Sequence, residues 1–242
     1  MSLKKFRSIS FIIPVFNEEK SLTILFKEIM KFRKKYKTVN SEFILVNDGS
    51  TDSSLRNLKA LSLNKNFIKI IDLKKNYGKG YALKKGVYAA KNNFILTLDA
   101  DLSVKFEQII PWIKYINFLK NDEVYFASRN HQLSKIKFKF HRKFIGLILS
   151  VFIYFLVDSK LKDTQCGFKL YRKKQAKKIF KNLKINGFSH DIEIIFLLKK
   201  YSNKIVELPV KWIHKPDSKV NLLTEPISFI LIIIFLKFKY YI

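Results

Sequence analysis

The chain has 242 residues and a mass of 28.7 kDa, with 47 Lys and Arg against 19 Asp and Glu for a formal net charge of +28. That length suits one large domain with an ample core, and a composition 48% hydrophobic and 15% aromatic excludes a disordered polycation. A single cysteine, Cys166, excludes an internal disulfide framework and a cysteine-rich zinc site. The basic excess invites a nucleic-acid reading, yet 41 of the 47 cations are Lys and only 6 are Arg. Base reading and bidentate phosphate clamps favour Arg, so most of this charge reads as a solvated face and no nucleic-acid partner is expected.

In chain order, a basic start leads into a buried strand over residues 8–13 that ends at a loop around Pro14. That apolar run is short and lacks a small-residue cleavage site, so it does not read as a signal peptide. Leu22, Leu25, Phe26, Ile29 and Phe32 form a helical stripe over residues 21–36. A strand at 42–46 enters the turn-rich segment 47–52, a helix carrying Leu55, Leu58 and Leu61 follows, and then a strand at 67–73. Residues 78–90 read as a helix and 93–98 as a continuous apolar strand ending at Asp99. Buried β-branched strands alternating with helices predict an α/β fold, a doubly wound parallel sheet with helices on both faces. The second half differs. Residues 131–141 are basic, 144–157 almost unbroken apolar, and 227–236 apolar again before Lys237, Lys239, Tyr240 and Tyr241. Neither apolar run reaches the roughly 20 residues that span a bilayer. The first reads as a buried core helix or as an interfacial one, and the second as an in-plane anchor or the start of a hydrophobic segment. Amphipathic, membrane-facing helices are thus expected towards the C-terminus. The expected parse is one domain over 1–220, with halves at 1–130 and 131–220, and a hydrophobic tail at 221–242.

In a chain with only 10 Asp and 7 Gly, their clustering is informative. Ligands of doubly wound sheets bind beyond the carboxyl ends of strands, and residues 14–19, 47–52 and 99–103 each follow a predicted strand. Asp99-Ala100-Asp101 places two carboxylates one residue apart on a strand, at its end, pointing the same way. Such a pair repels unless a cation intervenes, and Mg²⁺ or Mn²⁺ bound also to phosphate oxygens fits that need. A helix cap by Asp101 or Ser103 is the plainer reading. In Asn47-Asp48-Gly49-Ser50-Thr51-Asp52, Gly49 permits a tight turn and Asp48 is placed to accept from the ring nitrogens of a base. Asn76-Tyr77-Gly78-Lys79-Gly80 opens a helix, where paired glycines free backbone N–H groups for an anion and Lys79 adds charge. The segment is not a Walker-type phosphate loop, and no G-x-G-x-x-G follows the first strand, which disfavours a P-loop nucleotide hydrolase and a dinucleotide dehydrogenase.

Pro14-Val15-Phe16-Asn17-Glu18-Glu19, Val46-Asn47-Asp48-Gly49-Ser50-Thr51-Asp52, Asn76-Tyr77-Gly78-Lys79-Gly80 and Asp99-Ala100-Asp101-Leu102-Ser103, in this order, resemble a family 2 glycosyltransferase of the GT-A fold. Ala127-Ser128-Arg129 and Asp163-Thr164-Gln165-Cys166-Gly167-Phe168-Lys169 resemble the branch that loads sugars onto polyprenyl phosphates, the dolichyl-phosphate β-glucosyltransferase type in particular. The resemblance runs from about residue 9 to residue 219 and implies a mixed, mostly parallel sheet. It implies that Pro14, Val15, Asn17, Glu18, Asp48, Lys79 and Ala100 line the donor nucleotide, with Asp99 and Asp101 on Mg²⁺ or Mn²⁺. Arg129, Arg142 and Lys169 would meet the acceptor phosphate, with Asp163 and Gln165 beside the reacting groups. Asp191-Ile192-Glu193 matches a family Asp-x-Glu segment, and a helix cap explains Asp191 equally well. Relatives carry membrane-spanning helices that this sequence lacks in complete form.

The expected function is inverting transfer of a hexose, glucose by resemblance, from a nucleoside-diphosphate sugar such as UDP-glucose. The acceptor would be a polyprenyl phosphate, met at the cytoplasmic face of the membrane by a peripheral or monotopic enzyme. A phosphate acceptor is already anionic and needs no strong base. The alternatives are a saccharide acceptor, which would need Asp163 or Asp191 as base, a GDP-mannose donor, or, remotely, a non-catalytic basic module binding nucleic acid. The oligomeric state is not legible.

Overall fold

The computed structural model describes residues 8–116, 122–137, 161–215, 232 and 234–240. A seven-stranded sheet forms its centre, in the order β3-β2-β1-β4-β7-β5-β8. Strand β1 (Ser8–Val15) lies parallel between β2 (Asn40–Asp48) and β4 (Phe94–Thr97), and β3 (Ile68–Leu73) extends the sheet from β2. Strand β7 (Lys169–Arg172) is inserted antiparallel between β4 and β5 (Glu123–Ser128), and β8 (Lys204–Pro209) runs parallel to β5. The sheet is therefore mixed and mostly parallel, and strands from both halves of the chain build it. A short pair, β6 (Lys135–Lys137) with β9 (Lys211–Ile213), sits apart from it.

Alternation along the strands divides the core into two layers. Phe11, Ile13, Phe43 and Leu45 point to the face covered by α1 (Glu19–Lys35), α2 (Ser54–Ser62) and α4 (Ile109–Ile116). Ile12, Ile44 and Val46 point to the face covered by α3 (Lys79–Ala89), α5 (Lys173–Asn182) and α6 (His190–Lys200). The stripe expected on α1 is buried at all five positions, and Arg33, Lys34 and Lys35 in its last turn suit the negative end of the helix dipole. The first layer is held by aromatic rings. Phe11 stacks on Phe43 at 4.8 Å and meets Phe32 and Phe106 edge-on at 5.2 Å each.

Three strand boundaries differ from the sequence reading, each for a reason visible in the pairing. Strand β1 continues through Pro14 to Val15, because β4 stops at Thr97 opposite Ile12 and leaves β1 a partner on one side only. Proline is tolerated where a ladder is one-sided. Strand β2 exceeds its expected 42–46 because β1 and β3 both pair with it, as far as Asn47 and Asp48. Strand β4 is shorter than expected, so Asp99 and Asp101 lie on the turn beyond it rather than on the strand. The apolar run at 144–157 and most of the tail lie outside the described residues; residues 234–240 are helical and bury Leu236 against the second layer. Among the described residues no helix is long and apolar enough to cross a membrane.

Phe11→Ala empties the centre of the aromatic layer. We expect a loss of about 3–5 kcal/mol in urea unfolding, as for other buried Phe truncations. A midpoint close to wild type would show that the layer does not hold β1.

Candidate active site

Strands β1, β2 and β4 end at the same edge, and a cleft of about 640 Å³ opens there, a size common for small-molecule sites. Strand β1 supplies Pro14 and Val15 to its wall, followed by Phe16 and Glu18. Asp48 comes from the end of β2, Asn76, Gly78 and Lys79 from the approach to α3, and Asp99, Ala100 and Asp101 from the turn after β4. The three polar clusters of the sequence converge here.

Cross-links between the loops explain the local shape. Asn17 adopts a left-handed backbone, φ 50°, which asparagine tolerates. Its N–H donates to Ser50 Oγ at 3.0 Å and its carboxamide oxygen accepts from the Thr51 N–H at 2.8 Å. Glu18 N–H donates to Ser54 Oγ at 2.7 Å. Asn17, expected to line the donor, thus sews the first loop to the second and is absent from the cleft wall. Asp48 is 3% exposed, and its two oxygens accept the N–H groups of Tyr77 and Gly78, both at 2.9 Å. The Gly78 and Gly80 amides are thus taken rather than free for an anion: Gly80 N–H donates to Asn186 O at 2.6 Å. Glycine is needed at 78 because its φ is 101° and a Cβ there would stand 2.5 Å from the same Asn186 carbonyl.

The electrostatic centre is Lys79 against Asp99, Nζ to Oδ1 at 2.5 Å. Burial alone would push the Lys79 ammonium down, but Asp99, Asp191 and Asp101 outweigh it and hold it above the usual lysine value. Burial and the Asp99 charge push the Asp101 carboxyl up, although it accepts from both the N–H and the hydroxyl of Ser103, each at 2.8 Å. Two carboxylates in a partly buried turn, one raised by the other, form a donor set short of positive charge. Such a set fits a hard divalent cation that shares its remaining sites with phosphate oxygens. Among the described residues no three His, Cys, Asp or Glu side chains cluster to hold a metal by themselves. The 163–168 loop packs directly on this carboxylate. A Cβ at Gly167 would stand 2.6 Å from Asp99 Oδ2.

The expected acceptor residues divide. Arg129 grips Asp163 through Nε at 2.7 Å and Nη2 at 2.9 Å, and its backbone N–H donates to the same carboxylate at 2.8 Å. Burial opposes ionisation of Asp163, yet the Arg129 guanidinium holds its carboxyl below the ordinary range. Arg129 keeps a side chain 27% exposed, and Nη1 takes no part in the pair. Gln165 is half-buried, its N–H on Asp163 Oδ1 at 3.1 Å. Lys169 departs from expectation: β7 places it inside the sheet, 1% exposed, with its ammonium on Asp191 and on the Thr164 carbonyl at 3.1 Å. It neutralises a buried carboxylate instead of facing an acceptor. Arg142 lies outside the described residues. Sequence reasoning missed Gly187 and Phe188, which complete the wall beside Asn76. Gly187 and Phe188 arrive from a segment with no strand to announce it. An isolated glycine in a glycine-poor chain was the available signal.

The family model for glycosyl transferase family 2 matches residues 10–180. A dolichyl-phosphate beta-glucosyltransferase of Trichomonas vaginalis is 30% identical over 222 residues, covering 88% of this chain and 66% of that protein. Those of Dictyostelium discoideum and Homo sapiens are 29% and 28% identical, covering 96% and 88% of this chain and 74% and 70% of theirs. The chain thus spans about two thirds to three quarters of these relatives. Among solved structures, the Mycobacterium tuberculosis glucosyl-3-phosphoglycerate synthase in complex with Mn²⁺, UDP and glucosyl-3-phosphoglycerate superposes with a TM-score of 0.71 at 14% identity, over 97% of this chain and 81% of that one. S. aureus TarS with UDP-GlcNAc gives 0.58 at 18% identity, over 94% and 66%. These two show a shared fold.

The Arg129–Asp163 pair has a pH signature. A depressed carboxyl contributes stability that is complete above its unfolded value of about 3.9 and is lost as pH falls through the native one. The stability gap between wild type and Asp163→Asn should therefore be constant from pH 8 to about 5 and shrink below about 4. A gap independent of pH would show that the pair is not ionic.

Proposed function

The chain belongs to glycosyl transferase family 2, and on that footing we propose that this glycosyltransferase moves glucose from UDP-glucose to a polyprenyl phosphate. The observation that carries the proposal is the Asp99–Asp101 pair, balanced by Lys79, at the carboxyl ends of the parallel strands. The names of the relatives supply the sugar and the lipid. We assign Pro14, Val15, Glu18 and Asp48 to the base and ribose, in the cleft that Asn76, Lys79 and the two carboxylates also line. Asp99 and Asp101 would hold Mg²⁺ or Mn²⁺, which would neutralise charge on the leaving diphosphate. Lys79 adds a fixed cation beside the same charge, and such pre-placed charge is a large part of transfer catalysis.

Catalysis is then chiefly alignment. An acceptor phosphate oxygen attacks the anomeric carbon from the side opposite the departing nucleotide, which inverts the configuration, and no proton has to be removed. Arg129, oriented by Asp163, would meet that phosphate through Nη1, which lies outside the pair. Burial of the candidate bases favours a phosphate acceptor over a saccharide. Asp163 is held by Arg129 and Asp191 by Lys169, with both carboxyls kept below their ordinary range, so neither is a strong base. Ile234, Phe235 and Phe238 are exposed on the C-terminal helical segment beside Lys237 and Lys239. Apolar side chains among lysines suit an anionic bilayer surface, such as the cytoplasmic leaflet where a lipid acceptor would be met.

The test is a panel of UDP- and GDP-sugars with undecaprenyl or dolichyl phosphate and Mg²⁺ or Mn²⁺, scored for glycolipid. UDP-glucose is expected to give product, and Asp101→Asn to abolish it without lowering the thermal midpoint. Product from saccharide acceptors alone, or wild-type turnover in Asp101→Asn, would overturn the reading. Gly167→Ala should also lower turnover, by about 100-fold, because it displaces Asp99 by a fraction of an ångström to an ångström. Unchanged turnover would show that this contact does not set the carboxylate's position.

A further inference from the structure

Glu193 is a carboxylate with no exposure to solvent, on the inner face of α6. Each of its oxygens accepts two hydrogen bonds. Oε2 takes the backbone N–H groups of Lys184 at 2.8 Å and Ile185 at 2.6 Å. Oε1 takes the Tyr240 hydroxyl at 2.8 Å and Lys239 Nζ at 3.2 Å. One buried group thus joins the segment between α5 and α6 to the C-terminal helical segment 234–240.

The two ends of this bridge lead to different places. On one side, Asn186 O accepts the N–H groups of Gly80 at 2.6 Å and Tyr81 at 3.3 Å, next to Lys79, and Gly187 and Phe188 line the cleft. On the other, Leu236 is buried, the Tyr240 ring stacks on Phe196 at 6.0 Å, and Phe235 and Phe238 stay exposed. If the C-terminal segment leaves α6, Oε1 loses both donors while the carboxylate remains in an apolar layer. An uncompensated buried charge is costly, so the segment carrying Lys184 to Phe188 must rearrange with it.

We propose that Glu193 is a positioning residue through which the seating of residues 234–240 on α6 sets the affinity of the cleft for its nucleotide. The proposal rests on the reading of the cleft as a nucleotide-sugar site. Coupling of this kind is reciprocal, so nucleotide must in turn tighten the seating of the segment.

The experiment is calorimetric titration of the full chain with UDP and Mn²⁺, comparing wild type with Tyr240→Phe and Lys239→Met. Each removes one donor to Oε1 and leaves the cleft untouched. UDP affinity should fall roughly three- to tenfold in each, the scale of one lost charge-assisted hydrogen bond. Leu63→Ser, at an exposed position outside the cleft and the segment, should bind as wild type. Glu193→Gln, which still accepts from the Lys184 and Ile185 amides, should retain more affinity than Glu193→Ala. Hydrogen exchange gives the reciprocal readout: UDP should slow exchange of the amides of residues 234–240 in wild type. Lower thermal midpoints with unchanged UDP affinity would make Glu193 a structural residue and overturn the proposal. Wild type that binds no UDP would overturn the nucleotide reading of the cleft, and this coupling with it.

Discussion

Two carboxylates one residue apart on a partly buried turn repel each other, and much of the cleft is arranged around that repulsion. Lys79 supplies the nearest positive charge, through its contact with Asp99. To hold an ammonium there, α3 must begin at a fixed place. Asp48 fixes it by taking the Tyr77 and Gly78 amides, and Asn186 by taking those of Gly80 and Tyr81. Glycine at 78 lets Asn186 approach, and glycine at 167 lets the neighbouring loop lie against Asp99. The residual deficit of positive charge around Asp101 is what suits the turn to a divalent cation carried in with a diphosphate.

Beyond the Asp99–Asp101 turn, the two acids that could have served as bases are paired with cations rather than left reactive. Asp163 is spent on Arg129 and Asp191 on Lys169. Buried ion pairs of this kind contribute little net stability against an apolar replacement, but breaking one leaves a stranded charge. Their use here is orientation: the Asp163 pair fixes a guanidinium at the end of β5, and the Lys169–Asp191 pair links β7 to the start of α6. A reaction whose nucleophile is already anionic can proceed beside carboxylates that are all engaged.

The strand-and-helix alternation was legible because buried strands and the α1 stripe write their period directly into the sequence. The convergence of residues 14–18, 48 and 99–101 was legible too, since a parallel sheet brings consecutive strand ends to one edge. What depended on contacts between distant segments was not. Nothing local says that Asn17 is consumed by Ser50 and Thr51, that the α3 amides face Asn186, or that Lys169 turns into the sheet toward Asp191. Gly187 and Phe188 reach the cleft only because α5 and α6 fold back behind α3. The formal +28 also reads differently beside the structure. Its few telling cations are Lys79 on half-buried Asp99, Arg129 and Lys169 on buried acids, and Lys239, which reaches buried Glu193 from the segment that carries the exposed aromatics.

The account's central claim is that Asp99 and Asp101 form an incomplete cation site that a nucleotide diphosphate completes. Electron paramagnetic resonance of Mn²⁺ titrated against the protein measures this directly. The account predicts uptake of one Mn²⁺ per chain that is weak without UDP, tightens when UDP is added and disappears in Asp99→Asn/Asp101→Asn. Uptake that is indifferent to UDP, or that survives the double replacement, would contradict it.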